Sequence, residues 1–299
     1  MTVSEQKRAL LTGGSGYVGH RVVSGLVEAG WKVSVLTRAS TDIEVLGKAK
    51  PNLQIFQHDG RADYIVDVMR EARPDVVFHL AATNNSSDSS FEIAEMLETN
   101  VTLGVQLLEA MRQVECKHLV NTGTFWSYSE DGKNKPINLY AATKLALEIL
   151  IDYYCSVSEL RAITLNLCDV YGPGDWRPKL LNLLKTAAKT GEPLKLTPGH
   201  QQMNLVHVDD VVDAFLSASA QVCELLANRH LKFSISSNET ISVRNLVKQI
   251  SNILGTEVPV LFGGKPYREG EIMTPWNGNC LPQWQPKIDL VTGLHEFLR

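Results

Sequence analysis

The chain has 299 residues, 44% of them hydrophobic and 21% charged, with a formal net charge of −4. That length carries one large α/β domain, or one domain with a smaller lobe grafted on. The acidic balance, with no lysine or arginine cluster, excludes nucleic acid as the expected partner. No apolar run approaches the roughly 18 residues of a membrane span, and the polar N-terminus is not signal-like. Cys116, Cys155, Cys168, Cys223 and Cys280 are scattered singly without a C-x-x-C pair. Neither a disulfide framework nor a metal site is expected, and a reducing cytoplasm is the expected compartment.

The first strand, at 9–12, runs into Gly13-Gly14-Ser15-Gly16-Tyr17-Val18-Gly19 and then a helical pattern at 17–29. The glycines read both as Gly13-x-x-Gly16-x-x-Gly19 and as Gly14-x-Gly16-x-x-Gly19. Either way they permit a turn, a close approach of pyrophosphate and tight helix–strand packing, while the helix N-terminus offers free N–H groups. A glycine-rich turn alone is the bland alternative. The second strand, at 32–37, ends at Arg38, with Ser40 two residues on and no carboxylate before Asp42. An NAD site usually places an acid there for the ribose hydroxyl; an arginine suits a 2′-phosphate, so NADP(H) is the expected cofactor.

Strands at 53–57, 76–80, 118–121 and 162–167 then alternate with helices at 62–71, 91–112 and 139–156. Most of these strands are continuously apolar, which suits a parallel sheet buried on both faces. The order predicts a doubly wound α/β fold of the Rossmann type. Two of the helices, 91–112 and 139–156, are apolar all round and predict a homodimer through a bundle of both.

Thr122-Gly123-Thr124 follows the fifth strand, and Tyr140 and Lys144 stand four apart on the helix after it. A free tyrosine has a pKa near about 10, too high for easy proton exchange; a neighbouring ammonium lowers it. Tyr140, Lys144 and Thr124 are therefore the catalytic candidates for moving a proton onto a carbonyl oxygen. Thr122 is a weaker candidate. Tyr-x-x-x-Lys is a cheap pattern, and only the upstream threonine and glycine segment make it informative.

After Tyr171-Gly172-Pro173-Gly174 prolines and glycines become frequent. His207-Val208-Asp209-Asp210 opens another helix to about 227, with an aspartate as its expected N-cap, and a strand near 233–236 could rejoin the sheet. This predicts a dinucleotide domain from 1–170 plus about 205–237, and a substrate lobe from about 171–204 plus 238–299.

These segments resemble the extended short-chain dehydrogenase/reductase superfamily, in its nucleotide-sugar branch. Thr12 to Gly19, His79-Leu80-Ala81-Ala82, Asn100, the Thr124/Tyr140/Lys144 set, Tyr171-Gly172-Pro173 and Val206 to Asp210 all carry the resemblance. It implies cofactor contacts at Gly13, Ser15, Gly16, Tyr17, Val18, Gly19, Arg38, Ser40, Asp59, Gly60, Leu80, Ala81, Ala82, Asn100, Thr122, Tyr140 and Lys144. It also implies a nucleotide-sugar substrate touched by Thr83, Thr124, Phe125, Trp126 and Asp169. Phe125-Trp126 stands where 4,6-dehydratases carry an Asp-Glu pair, so dehydration is not expected. Met203-Asn204-Leu205 replaces an Arg-Asp-Phe whose arginine meets substrate phosphate, a role left to Arg177 or Arg268. The strings 121–126, 138–144, 178–184 and 267–269 are similar to CDP-sugar 4-ketoreductases. The resemblance thus implies NADPH-dependent reduction of a 4-keto sugar. A 4-epimerase with retained NAD and a non-catalytic dinucleotide-sensing protein are the alternatives. Trp126 and Trp176 either flank the sugar or simply pack.

Overall fold

A computed structural model describes residues 6–84 and 90–299. The alternation read from the sequence is realised as β1 (Arg8–Thr12), α1 (Tyr17–Glu28), β2 (Lys32–Arg38), β3 (Leu53–His58), α2 (Ala62–Ala72), β4 (Val76–His79), α3 (Ser90–Leu97), α4 (Leu103–Gln113), β5 (His118–Thr124), α5 (Leu139–Val157) and β6 (Arg161–Leu167). Next come β7 (Asp169–Tyr171), α6 (Leu180–Thr190), β8 (Leu194–Leu196), β9 (Gln202–Met203), β10 (Leu205–His207), α7 (Val208–Glu224) and β11 (Arg229–Ile235). β12 (Ile241–Ser242), α8 (Val243–Leu254), β13 (Val260–Phe262) and α9 (Leu290–Leu298) complete the chain.

Seven strands form one sheet in the order β11-β6-β5-β4-β1-β2-β3, and every neighbouring pair is parallel. The chain moves outward from β1 to β3, then crosses back to β4 and proceeds the other way. Helices cover both faces, and alternate side chains of each strand feed opposite cores. Leu11, Phe78 and Val120 pack with Val23 and Leu26 of α1 and Val211 and Phe215 of α7. Leu10, Val77 and Leu119 pack with Met69 of α2, Met111 of α4 and Leu147 and Ile151 of α5. Burial on both faces explains why these strands read as unbroken apolar runs. A third core, with Leu184 of α6, Leu246 and Ile250 of α8, and Leu294 and Phe297 of α9, lies beyond the sheet.

Three local expectations need correction. The single helix expected at 91–112 is interrupted: residues Glu98–Thr102 between α3 and α4 form a π-helical turn. Asn100 lies in that turn, fully buried, and its side-chain bonds to neighbouring segments accompany the local widening. The N-cap of α7 is His207, whose Nδ1 accepts the Asp209 N–H at 3.3 Å. Asp210 instead accepts the backbone N–H groups of Lys287 and Ile288 at 2.9 and 3.1 Å, tying the C-terminal segment to α7. The last strand begins at Arg229, earlier than its apolar half suggested, because β6 pairs with it along its whole length. No helix among the described residues is long and apolar enough to cross a membrane.

Candidate active site

Where the strand order reverses between β1 and β4, loops diverge and leave a crevice at the carboxyl ends of the strands. A cleft of about 200 Å³ opens there, lined from the β1–α1 turn, the β4 end, the β5 end, β6–β7 and α5. In the turn, Gly13 has φ +75°, and a Cβ on it would lie 2.5 Å from the Ala81 nitrogen. A Cβ on Gly19 would lie 2.0 Å from the Gly13 carbonyl oxygen, so α1 can approach its own strand only with glycine there. Gly16 differs. It is exposed, and its Cβ would come no nearer than 3.4 Å to any protein atom. Its bareness faces the cleft, beside the uncapped N-terminus of α1.

The Thr12 hydroxyl pairs with His79 Nδ1 at 2.8 Å and accepts the Ala81 N–H at 3.3 Å, locking the ends of β1 and β4 together. Asn100 performs a similar service. Its Oδ1 accepts the Thr83 N–H at 2.8 Å, and its Nδ2 donates to the Thr83 carbonyl and the Thr143 hydroxyl at 2.9 and 3.0 Å. Both faces of its amide are thereby committed within the protein. Neither Asn100 nor Thr83 lines the cleft; together they tie the β4 loop to α5.

Asn138 caps α5, its Oδ1 accepting the Ala141 N–H at 2.8 Å. Tyr140 thus occupies the first turn, where the helix dipole favours negative charge on a phenol. Lys144 follows one turn later on the same side. The Thr124 hydroxyl accepts the Trp126 N–H at 3.3 Å and closes a short 3-10 turn. That bond occupies a lone pair only, so the hydroxyl proton remains available to an oxygen in the cleft. Trp126 meets Tyr140 edge-on, with ring centroids 6.3 Å apart. Thr124, Tyr140 and Lys144 all line the cleft.

The electrostatics differ from the simple picture of a lysine lowering a tyrosine. Burial pushes the Tyr140 phenol up to about 12, and the opposing influence is the Arg177 guanidinium. Burial pulls the Lys144 ammonium down to about 8. Lys144 is 1% exposed, and its Nζ has no hydrogen-bond partner among the described residues. A buried cation in that condition is costly unless something else meets it. The Thr122 hydroxyl, also on the cleft, is likewise buried and unpaired. A nicotinamide dinucleotide, with its ribose hydroxyls and pyrophosphate, fits these orphaned donors and the bare Gly16 backbone.

At the far end, Asp169 lies 3.9 Å from the Lys179 ammonium, and burial raises its carboxyl above the usual range. Arg177 lines the cleft too.

A family model described as the NAD dependent epimerase/dehydratase family matches residues 9–232. The chain belongs to that family. Its seven-stranded parallel sheet is that of the extended short-chain dehydrogenase/reductases that the sequence motifs resemble. Among relatives, the chain is 29% identical to CDP-abequose synthase of Yersinia pseudotuberculosis over 269 residues, covering 90% of this chain and 91% of that one. It is 28% identical to UDP-glucose 4-epimerase of Streptomyces lividans, covering 93% and 91%. Its structure resembles that of UDP-glucose 4-epimerase with UDP-glucose from Thermotoga maritima, with TM-score 0.83, 26% identity and 97% of each chain covered.

Not every residue singled out in the sequence reaches the cleft. Gly13, Gly16, Val18, Gly19, Leu80, Ala82, Thr122, Phe125, Trp126, Asp169 and Arg177 line it with Thr124, Tyr140 and Lys144. Ser15, Tyr17, Arg38, Ser40, Asp59, Gly60, Ala81 and Arg268 do not. Tyr17 is buried against the 172–177 loop, under the Arg177 guanidinium at 4.5 Å from its ring centroid. Arg38 is exposed at the end of β2 and paired with Glu95 at 2.9 Å. Asp59 accepts both the backbone and Nε of Arg61, which holds its carboxyl below the usual range. Arg268 is exposed at a turn, its N–H donating to Glu271. Asn204, in the altered phosphate-arginine motif, is consumed structurally by Ser237 and by the Glu239 carbonyl. Trp176 packs edge-on against Tyr17 at 5.7 Å. Conversely Asn84, Gly123, Leu167, Cys168, Val170 and Lys179 line the cleft and went unnoticed as site residues. Gly123, inside Thr122-Gly123-Thr124 and the 121–126 string, and Lys179, inside the 178–184 string, are the two that carried a signal.

Proposed function

We propose that the protein reduces the 4-keto group of a nucleotide-linked deoxy sugar, with CDP as the nucleotide and NADPH as reductant. The observation that carries this reading is the meeting of Thr124, Tyr140 and Lys144 in one cleft with Phe125-Trp126 beside them. That set holds a proton donor for a carbonyl oxygen but no second acid to eliminate water. The likeness to CDP-abequose synthase along nine-tenths of the chain supports the CDP-sugar class.

The dinucleotide, when bound, supplies hydride to the carbonyl carbon. Tyr140 gives its phenolic proton to the oxygen as negative charge develops there, so the ketone gains one hydride and one proton and becomes an alcohol. Thr124 donates a hydrogen bond to the same oxygen and fixes its direction. Lys144 meets the ribose hydroxyls and places positive charge beneath the phenol. Arg177 and Lys179, on the sugar side, balance the diphosphate; Asp169 is placed to accept from a sugar hydroxyl. Arg38 and Ser40 are proposed to hold the 2′-phosphate, Arg38 exchanging its Glu95 partner for it. The dinucleotide domain and substrate lobe are proposed to divide as the composition suggests, in a cytoplasmic enzyme. Exposed Phe91 and Leu97 on α3 and Ile149, Tyr153 and Val157 on α5 support a homodimer through those helices.

The second reading is a 4-epimerase with retained NAD, favoured by the two UDP-glucose 4-epimerase likenesses and by the occupied Arg38. The deciding experiment supplies NADPH or NADH with CDP-, dTDP-, GDP- and UDP-4-keto sugars and follows nicotinamide absorbance. Stoichiometric NADPH loss with the CDP substrate is expected. Protein that purifies with NAD and interconverts UDP-hexoses without net oxidation would establish the epimerase instead. The sensing reading requires binding without turnover of any of these sugars.

A further inference from the structure

Tyr140, Lys144, Glu148 and Asp152 stand at successive four-residue steps along α5; Tyr140 lines the cleft, and Lys144 and Glu148 are buried. Glu148 is fully buried, yet it plays no part in the chemistry above. Its Oε2 accepts the Tyr128 hydroxyl at 2.5 Å, and Lys232 Nζ of β11 is 3.5 Å away. Its Oε1 has no partner among the described residues. That oxygen is located by Gly123: a Cβ there would lie 2.9 Å from Oε1 and 2.1 Å from Asn166 Oδ1. The carboxylate therefore sits behind Gly123, the strand residue between Thr122 and Thr124 that lines the cleft. One turn above it on the helix is the unpaired Lys144 ammonium. Two buried, oppositely charged groups, each with an uncommitted atom, share one helix face.

We propose that Glu148 is a positioning residue for Lys144, its buried carboxylate, anchored by Tyr128, keeping the ammonium charged and directed at the cleft. The reductase reading gives this its purpose, because an uncharged lysine would hold the dinucleotide ribose less strongly. The electrostatics run the same way: burial lowers the Lys144 pKa, and Glu148 opposes it. The other charged or titratable groups facing the pair are Tyr140 and Asp152 on α5, Tyr128 beyond β5, His79 on β4 and Lys232 on β11. His79 is held neutral by burial, its pKa near 3. Lys232 also contacts Asp152 at 3.1 Å, which shares its charge. The anchor itself is braced from the C-terminal lobe, since Trp276 stacks on Tyr128 with centroids 4.3 Å apart.

The test is a pH titration of the Lys144 side-chain resonance in unliganded protein labelled with [13C]lysine, assigned by its loss in Lys144→Met. In Glu148→Gln, which keeps the shape and an acceptor for Tyr128, the midpoint should fall by about one pH unit. In Tyr128→Phe, a milder change in case the first variant does not fold, it should fall in the same direction by less. An unmoved midpoint in the variants that fold overturns the proposal and assigns Glu148 to Lys232 instead. This readout needs neither substrate nor turnover, so it stands apart from the reductase reading. If that reading also holds, the alkaline limb of kcat/KM moves to lower pH in Glu148→Gln, where a purely structural defect would lower the whole profile.

Discussion

Arg177 closes a fork on Asp175, its Nε and Nη2 donating to the two carboxylate oxygens at 2.8 and 2.7 Å. A further bond to the Val170 carbonyl at 2.7 Å and the face of Tyr17 complete its setting. The cation is held at the cleft edge, where it opposes the rise that burial imposes on Tyr140. Arg177→Met should therefore push the Tyr140 phenol higher and make it a weaker acid. At a Brønsted coefficient of about 0.5, a rise of one unit corresponds to about a threefold loss in kcat/KM for the sugar. Equal kcat/KM in the variant, at pH 7, would show that the guanidinium has no bearing on the phenol.

Tyr140→Phe deletes the proton donor and leaves the ring in place. Turnover should drop by roughly 100- to 10,000-fold, with dinucleotide affinity, measured by calorimetry, close to that of the native protein.

The glycines of the first turn separate two roles. Gly16→Ala has room inside the protein and should fold normally, yet its methyl would stand where the bare backbone meets the pyrophosphate. Gly19→Ala forces a methyl into the Gly13 carbonyl and should lower the melting temperature itself. Calorimetric loss of dinucleotide binding with an unchanged melting temperature is the outcome expected only of Gly16→Ala.

Lys144 should weaken the unliganded fold. Its folded pKa of about 8 lies below the ordinary lysine value of 10.5, so the unfolded chain binds the extra proton between those limits. Native stability then rises with pH through that window, and the whole penalty applies below it. Lys144→Met removes the penalty and should stabilise by about 3 kcal/mol at pH 7. Urea unfolding at pH 7 and at pH 10.5 should show this advantage shrinking at the higher pH.

Asp210, 2% exposed, receives the Lys287 and Ile288 N–H groups, while its own carbonyl accepts Trp284 Nε1 at 3.0 Å. Asp210→Ala removes the acceptor of two part-buried backbone donors and should destabilise by about 1–3 kcal/mol in urea unfolding. A change under half a kilocalorie would mean that water reaches those amides.

Much of this protein is written locally. Apolar runs with alternate residues feeding two cores specify the strands, and glycine spacing specifies the turn after β1. The four-residue step from Tyr140 to Lys144 places both on one helix side, all from covalent geometry and burial. Arg38 and Asp59, singled out as cofactor contacts, lie outside the cleft and are paired with Glu95 and Arg61. The Arg38–Glu95 pair joins positions 57 apart and exists only once β2 and α3 are brought together, whereas Arg61 meets Asp59 across a local turn two residues long. Arg268 lies outside the cleft too, since its resemblance to a useful cation does not bring it there.

What tertiary structure alone decided are the environments. By itself the sequence determined which groups exist and which share a face. It could not determine that burial, rather than a neighbouring lysine, dominates the Tyr140 phenol, or that Arg177 is the charge opposing it. Nor could it determine that Asn100 is spent on Thr83 and Thr143, that His207 rather than an aspartate caps α7, or that Glu148 lies behind Gly123. Desolvation and Coulomb interaction depend on distances across strands far apart in the chain, and those distances come into being only when the sheet closes.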